Sequence, residues 1–201
     1  MLLCLLCPHV TLAAQAAAHD RLSVQECALL QDGDLVLRAG QDIQSDMIRF
    51  YLGSRLPFCH VGIVRLDNGV PWIIHTLNGE LTGVDGVQTQ TLENWEQYAK
   101  PGTLFVVRPR WHDSTEAMLF MRYCVRMLEE QRPFDNGFDD SDNTSLYCTE
   151  LVYDGLVQAR FMEWTDLKTR VHGVIGFDGF LDVRVFTRLI DHPGLDRYYF
   201  Y

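Results

Sequence analysis

The chain has 201 residues, which fits one globular domain, and its hydrophobic and charged fractions of 47% and 22% are those of a folded protein. Lys and Arg number 17 against 27 Asp and Glu, so the formal net charge is −10 at pH 7. A surface this acidic repels the phosphates of nucleic acids and of anionic lipids. The composition therefore argues against nucleic-acid binding and against a basic membrane-binding face.

The first 18 residues contain no Asp, Glu, Lys or Arg, unlike the rest of the chain. A proline and a histidine interrupt this apolar run before it reaches the ~18 to 20 residues of a membrane span. Small residues at Ala14, Ala16 and Ala18 give A-x-A cleavage patterns, which are typical of a secretory signal peptide. We therefore predict a signal peptide over 1–18, export to the periplasm or the medium, and one domain over 19–201. An ordinary apolar helix is the alternative, because no basic residue precedes the run.

The remaining sequence predicts strands and helices that are grouped more than alternated. Strands are predicted over 34–38, 60–66, 70–77 and 103–108, with a last strand after residue 177. A capping box that begins at Asp113 predicts a helix to about Gln131, which Pro133 ends, and a second helix runs from about Cys148 to Ala159. This grouping favours an α+β fold over a doubly wound parallel sheet.

An Asn-Gly pair separates the second and third predicted strands and predicts a hairpin with a two-residue loop. In that register Gly62 pairs with His75, and His60 pairs with Leu77. The two histidines then lie on one face of the sheet as diagonal neighbours, about 7 to 8 Å apart at the backbone. Gly62 would leave room for the imidazole of His75. A three-residue loop would place the two rings on opposite faces.

Cys148 begins the second predicted helix, whose apolar stripe indicates that it packs on a sheet. The free N–H groups and partial positive charge of a helix N-terminus favour a thiolate, so we expect the pKa of Cys148 to fall below its usual value of about 8.5. The same N–H groups could hold a developing oxyanion. A nucleophile (Cys148), a base (His60) and an orienting group (His75) are the parts that a thiol hydrolase needs.

The other cysteines have simpler interpretations. Cys124 lies on the apolar face of its helix and is expected in the core. Cys59 precedes His60 in a strand, so its side chain is expected on the opposite face, in packing or in a disulfide; whether it pairs with Cys27 stays open. No C-x-x-C pair follows the predicted signal peptide, and we predict neither a metal nor a cofactor.

The acidic loop before Cys148 suggests a competing function. Its residues match five positions of a calcium-binding loop, namely Asp139, Ser141, Asn143, Ser145 and Glu150. Thr144 stands where the sharp turn of such a loop requires glycine, so a solvated loop is favoured over a calcium site.

Five segments carry a family resemblance. They are Asp34-Leu-Val-Leu, Cys59-His-Val-Gly-Ile-Val, Trp72-Ile-Ile-His, Pro133-Phe-Asp and Leu146-Tyr-Cys-Thr-Glu-Leu-Val. Together they resemble the circularly permuted papain-like amidases of the YaeF/YiiX type, which are related to NlpC-type peptidases and to lecithin–retinol acyltransferase-like enzymes. The resemblance covers about residues 30–157. It implies an antiparallel sheet packed against helices, with the histidine strand before the cysteine helix.

Carried over residue by residue, the resemblance implies that Cys148 is the nucleophile, His60 its base and His75 the orienting group. The sequence departs from the family pattern at Cys59, where serine is common, at His75, where some members have glutamate, and at Phe134, where tyrosine is common.

The expected function is that of an exported cysteine hydrolase that cleaves amide bonds through an acyl-thioenzyme intermediate. Its expected partner is a peptide or acyl-amide substrate, either a peptidoglycan stem peptide or a lipid amide. The alternatives are a lipid acyltransferase or esterase of the lecithin–retinol acyltransferase-like type, and a non-catalytic binding protein on the same fold. The sequence does not fix the oligomeric state.

Overall fold

The computed structural model describes residues 20–51, 56–139, 141–142, 144–163, 170–171 and 173–195. The predicted signal peptide lies outside these residues. The helices are α1 (Val24–Cys27), α2 (Ile43–Tyr51), α3 (Gly79–Thr82), α4 (Leu92–Gln97), α5 (Ser114–Glu129) and α6 (Cys148–Gln158), with a 3₁₀ turn at Asp178–Leu181. The strands are β1 (Leu35–Arg38), β2 (His60–Asp67), β3 (Val70–Leu77), β4 (Gly86–Thr91), β5 (Phe105–Pro109), β6 (Arg170–Val171), β7 (Val174–Ile175) and β8 (Phe186–Asp191).

The centre of the fold is a six-stranded sheet in the order β4-β3-β2-β1-β5-β8, in which neighbouring strands are antiparallel. One face packs against α5 and α6 and holds the larger core cluster, with Val61, Ile63 and Ile74 among its buried residues. The other face holds a second cluster around Trp95 of α4, which is fully buried. The prediction of an α+β fold with an antiparallel sheet packed against helices is confirmed.

None of the helices within the described ranges combines the length and the apolar character that crossing a bilayer requires.

The predicted strands and the two long helices occur close to their expected bounds. The side chain of Asp113 accepts hydrogen bonds from the backbone N–H groups of Thr115 and Glu116, as a helix N-cap does, and α5 ends at Glu129. The region between residues 78 and 100 was not assigned from the sequence. It contains β4, which adds the edge strand beside β3, and α4, which brings Trp95 onto the sheet.

The hairpin has the predicted register only in part. The pairs run from Asp67 with Val70 to Ile63 with Ile74, as expected for a two-residue loop. Beyond Ile63 the pairs stop, although β2 begins three residues earlier at His60 and β3 continues to pair with β4 as far as Leu77. The expected pairs of Gly62 with His75 and of His60 with Leu77 are therefore absent from the ladder, and the two strands separate at this end of the sheet.

The space beside Gly62 is occupied by residues other than His75, which we expected there. A Cβ atom on Gly62 would lie 2.3 Å from Cγ2 of Ile73 and 3.1 Å from the ring of Trp95. The missing side chain therefore makes room for Ile73 and Trp95 and not for the imidazole of His75. Glycine is required here because of a close approach of neighbouring side chains.

We expect Gly62→Ala to lower the free energy of unfolding by about 1 to 3 kcal/mol, because the added methyl group overpacks the contact with Ile73. Chemical denaturation measures this loss. In an Ile73→Ala background, the same change should cost clearly less, because the nearest atom is gone. An equal cost in both backgrounds would show that the contact with Ile73 is not the cause.

Candidate active site

Cys148 is the first residue of α6, and the helix end is held by its own residues. The carboxylate of Glu150 accepts a hydrogen bond of 3.1 Å from the backbone N–H of Tyr147. Glu150 is buried, at 2% exposure, so its carboxylate is used to hold the N-terminal end of α6.

The calcium loop considered above is not supported by these contacts. Glu150 is position 12 of that loop. Asp139, position 1 of that loop, accepts the N–H of Ser141, and Asn143 lies outside the described residues.

Two side-chain hydroxyl groups tie the same helix end to the surrounding strands. Thr76 of β3 donates a hydrogen bond of 3.1 Å to the carbonyl oxygen of Leu146, two residues before Cys148. Thr149 donates one of 2.7 Å to the carbonyl oxygen of Ile175 in β7. These contacts are buried, so the position of Cys148 relative to β3 is fixed by groups that water does not reach.

The two predicted histidines are in contact. Nε2 of His60 lies 3.2 Å from Nδ1 of His75, so one of these nitrogens donates its proton to the other. The rings are nearly perpendicular, with centroids 5.3 Å apart. His60 also stacks on Trp95 at a centroid distance of 4.9 Å. Because Nε2 is engaged with His75, Nδ1 is the nitrogen of His60 that remains for a substrate or a thiol.

Both imidazoles are buried, and burial decides their charge. Removal from water lowers the pKa of His60 well below its usual value of 6.5, and the nearby Arg38 and His75 lower it further. Burial, again with the charge of Arg38, lowers the pKa of His75 to about 3. At neutral pH the two rings are therefore uncharged.

Cys148 does not have the lowered pKa that we expected from its helix position. Burial of its sulfur raises the pKa to about 12, and the backbone N–H groups of Val61, Thr149 and Cys148 itself offset only part of this effect. The correction has a physical reason: a helix end supplies about half a unit charge, whereas loss of hydration acts on the full charge of a thiolate. The thiol is neutral at neutral pH.

Cys148 and His60 line one cavity of about 1040 Å³. His60 is at its wall, with Trp95 and His75 behind it. No hydrogen bond joins the sulfur of Cys148 to either ring among the described residues. Apolar side chains dominate the rest of the wall, including Met47, Ile48, Phe134, Phe138, Val174 and Phe177.

Cys59 lies where the sequence argument did not place it. Its side chain faces the same cavity as His60 and Cys148, and its sulfur accepts a hydrogen bond of 3.0 Å from the N–H of Gly40. The alternation of side chains fails here because Cys59 precedes the first residue of β2. The thiols of Cys59 and Cys27 are both free, so the disulfide that the sequence left open is not formed.

Arg38, the last residue of β1, was missed by the sequence analysis. It pairs with His60 across β1 and β2 and is buried, at 6% exposure. Its guanidinium carbon lies 4.7 Å from the centroid of the Trp95 ring, and Nη1 donates a hydrogen bond of 3.0 Å to the carbonyl oxygen of Tyr98. The sequence feature that could have indicated Arg38 is that a strand of apolar residues ends with a charged side chain.

The overall structure is similar to a solved one. The crystal structure of the metalloprotein YiiX from Escherichia coli O157:H7 matches with a TM-score of 0.62 over 80% of this chain and 97% of that chain, at 19% sequence identity. This shows a YiiX-like fold. No protein-family model and no curated protein matches the sequence.

YiiX is called a metalloprotein, so the ligands that this chain could offer to a metal ion are relevant. The described residues contain no group of three or more His, Cys, Asp and Glu that could hold an ion. Structural and catalytic zinc sites need at least three such ligands. At the cavity, Nε2 of His60 is already bonded to His75, which removes it as a donor. The described residues do not fit a metal site, and no step below uses one.

The buried histidines make the stability of the fold sensitive to acid. In the unfolded chain His75 binds a proton near pH 6.5, whereas in the folded chain it does so near pH 3. Its contribution is therefore complete above pH 6.5 and is lost as the pH falls toward 3. We expect His75→Asn to reduce the slope of unfolding free energy between pH 6 and 4 by up to about 1.4 kcal/mol per pH unit. A slope that stays the same in folded His75→Asn would contradict the lowered pKa of this histidine.

The pH dependence of alkylation tests the protonation state of the Cys148 thiol. With a pKa of about 12, Cys148 should react with iodoacetamide at a rate that keeps rising from pH 7 to pH 10, without a plateau. Peptide mapping locates the label, and Cys148→Ala provides the background. A plateau below pH 8 would mean that the folded protein holds a thiolate after all.

Proposed function

We propose that this chain is an exported cysteine hydrolase of the circularly permuted papain-like type, which cleaves amide bonds through an acyl-thioenzyme intermediate. The observation that carries the proposal is that Cys148, at the N-terminus of α6, lines one cavity with His60, whose other ring nitrogen is held by His75. The YiiX-like fold supports a place among the YaeF/YiiX-type proteins. Export is proposed from the sequence pattern of residues 1–18 alone.

In the proposed reaction His60 acts first as a base and then as an acid. Nδ1 of His60 takes the proton of the Cys148 thiol as the sulfur attacks the amide carbon, and the same proton goes to the leaving amine. Water then attacks the thioester carbon while His60 takes a proton from the water; the carbon–sulfur bond breaks, His60 returns this proton to the sulfur of Cys148, and the carboxylic acid is released. For Nδ1 to accept, the proton of His60 must be on Nε2, where Nδ1 of His75 accepts it at 3.2 Å.

The neutral resting state means that proton transfer accompanies the attack. A thiol with a pKa near 12 and an imidazole with a pKa below 6.5 do not form a stable ion pair before substrate binds. The backbone N–H groups of Val61, Thr149 and Cys148 act on the sulfur and are the natural donors for the oxyanion of the tetrahedral intermediate.

The substrate class within this chemistry is a peptidoglycan stem peptide or a lipid amide. The apolar cavity wall suits an acyl chain or apolar side chains. A lipid ester, used by an acyltransferase or esterase, is the second candidate. It is favoured by α2, where Ile43, Met47 and Phe50 are 79%, 64% and 90% exposed and Met47 also lines the cavity. A non-catalytic binding protein is the third possibility.

Mass spectrometry of the intact protein, incubated with muropeptides, acyl amides and acyl esters, tests the proposal. We expect one substrate to add its acyl mass at Cys148 and to be turned over, with no adduct and no turnover in Cys148→Ala. His60→Ala should slow the reaction by about 10²- to 10⁴-fold, because the base is lost. Cys27→Ala removes a thiol that does not line the cavity and should behave as the unsubstituted protein.

The kind of substrate that donates the acyl group to Cys148 separates the candidate functions. An amide substrate supports the amidase, and an ester substrate alone supports the lipid enzyme. Binding without any adduct, or full turnover in Cys148→Ala, would overturn the thiol mechanism.

A further inference from the structure

We propose that Arg38 binds a carboxylate on the amine half of the substrate, so that the enzyme selects amides of amino acids whose carboxylate is free. The inference rests on the proposed function, because it assigns a substrate class to the same cavity. Such a carboxylate belongs to an N-acyl amino acid or to the last residue of a peptide. Both sources share the chemistry that Arg38 would recognise.

Arg38 is a buried charge that no carboxylate of the described residues contacts directly. No carboxylate of the described residues lies within 4 Å of its guanidinium, and its Nε–H is buried without a hydrogen-bond partner. Among the described residues its one hydrogen-bond partner is the carbonyl oxygen of Tyr98, which accepts from Nη1, while the rings of Trp95 and Tyr98 contact the guanidinium. A buried cation is costly unless a charged group pairs with it, so a ligand is the natural source of the missing anion.

The second observation concerns the charged residues that line the cavity. Among the described residues that line it, Arg38 is the only Arg or Lys, and Asp42 is the only carboxylate. The charge of Asp42 helps to sustain the pKa of Arg38, but its carboxylate does not reach the guanidinium within 4 Å and instead accepts a hydrogen bond of 2.7 Å from the N–H of Ser45 in α2. One guanidinium matches one negative charge, which fits a carboxylate better than a phosphate dianion.

The position of Arg38 places this carboxylate on the amine side of the scissile bond. Arg38 and His60 are partners across β1 and β2, and side chains of such a pair project from the same face with Cβ atoms about 4.5 to 5.5 Å apart. Both also contact the ring of Trp95. Because His60 delivers its proton to the leaving amine, a cation beside His60 lies next to the amine half of the substrate.

Two ligands that differ only in this charge provide the test. Binding of N-octanoylglycine and of N-octanoylglycinamide is measured by calorimetry in the Cys148→Ala protein, which holds the ligand without turnover. We expect the carboxylate to bind about 10- to 100-fold more tightly than the carboxamide. Adding Arg38→Gln should reduce the ratio to about one, and Arg38→Lys should retain part of it. Acetyl-Leu-Gly and its amide repeat the comparison for a peptide source.

The control is Arg65→Gln, which removes an equal charge from an exposed position of β2 outside the cavity and should leave the ratio unchanged. Circular dichroism and a cooperative melt establish that each variant is folded. A ratio near one with Arg38 present overturns the inference, and this measurement does not depend on any Arg38 variant folding. A ratio that survives in folded Arg38→Gln overturns it as well.

Turnover separates this inference from the proposed function. If the unsubstituted protein binds the carboxylate ligands preferentially but hydrolyses neither ligand nor any acyl amide, the hydrolase proposal fails and the anion site remains. If it hydrolyses both ligands with equal efficiency and binds them equally, the hydrolase stands and the role of Arg38 is wrong.

Discussion

The site depends on the separation of β2 from β3. Helix α6 packs on one face of the sheet, whereas His60 and His75 contact Trp95 on the other face. A continuous ladder would keep groups from the two faces apart. Because the pairs stop at Ile63 and Ile74, the backbone N–H of Val61 acts on the sulfur of Cys148 instead of continuing the ladder. The hydroxyl of Thr76 donates a hydrogen bond to the segment before Cys148, which holds the N-terminal end of α6 beside this opening in the ladder.

Trp95 excludes water from His60, His75 and Arg38 and so affects the charges of these side chains. Its ring lies against His60, His75 and the guanidinium of Arg38, and it replaces water around all three. Both histidines are therefore kept neutral, and the charge of Arg38 disfavours a second cation beside it. Three buried polar atoms there, Nε2 of His75, Nε1 of Trp95 and Nε of Arg38, have no hydrogen-bond partner among the described residues. Buried polar groups of this kind are usually paired, so a ligand that enters the cavity would find hydrogen-bonding groups of the protein still available.

Local patterns in the sequence predicted the parts of the site that local physics controls. The Asn-Gly turn predicts the register of the pairs next to the loop correctly. The two histidines are in contact as expected, although the ladder of paired residues ends before it reaches them. The start of α6 at Cys148 also follows from a local pattern. The separation of the strands could not be predicted, because it depends on α6 entering the sheet from a distant part of the chain. Trp95 was missed for a different reason: it lies in α4, which follows a glutamine-rich edge strand without a clear apolar alternation.

The sequence argument was wrong about the thiol because it weighed only the helix end. In the protein, burial outweighs those N–H groups, and the result matters for an enzyme that works outside the reducing cytoplasm, as proposed here. Oxidation and disulfide exchange require a thiolate, so a nucleophile that stays a thiol at rest is protected. The protection is relevant because a second free thiol, Cys59, faces the same cavity. In the reaction proposed here, the sulfur loses its proton to His60 only during the attack, so two thiols in one cavity are compatible with the proposed export to an oxidising compartment.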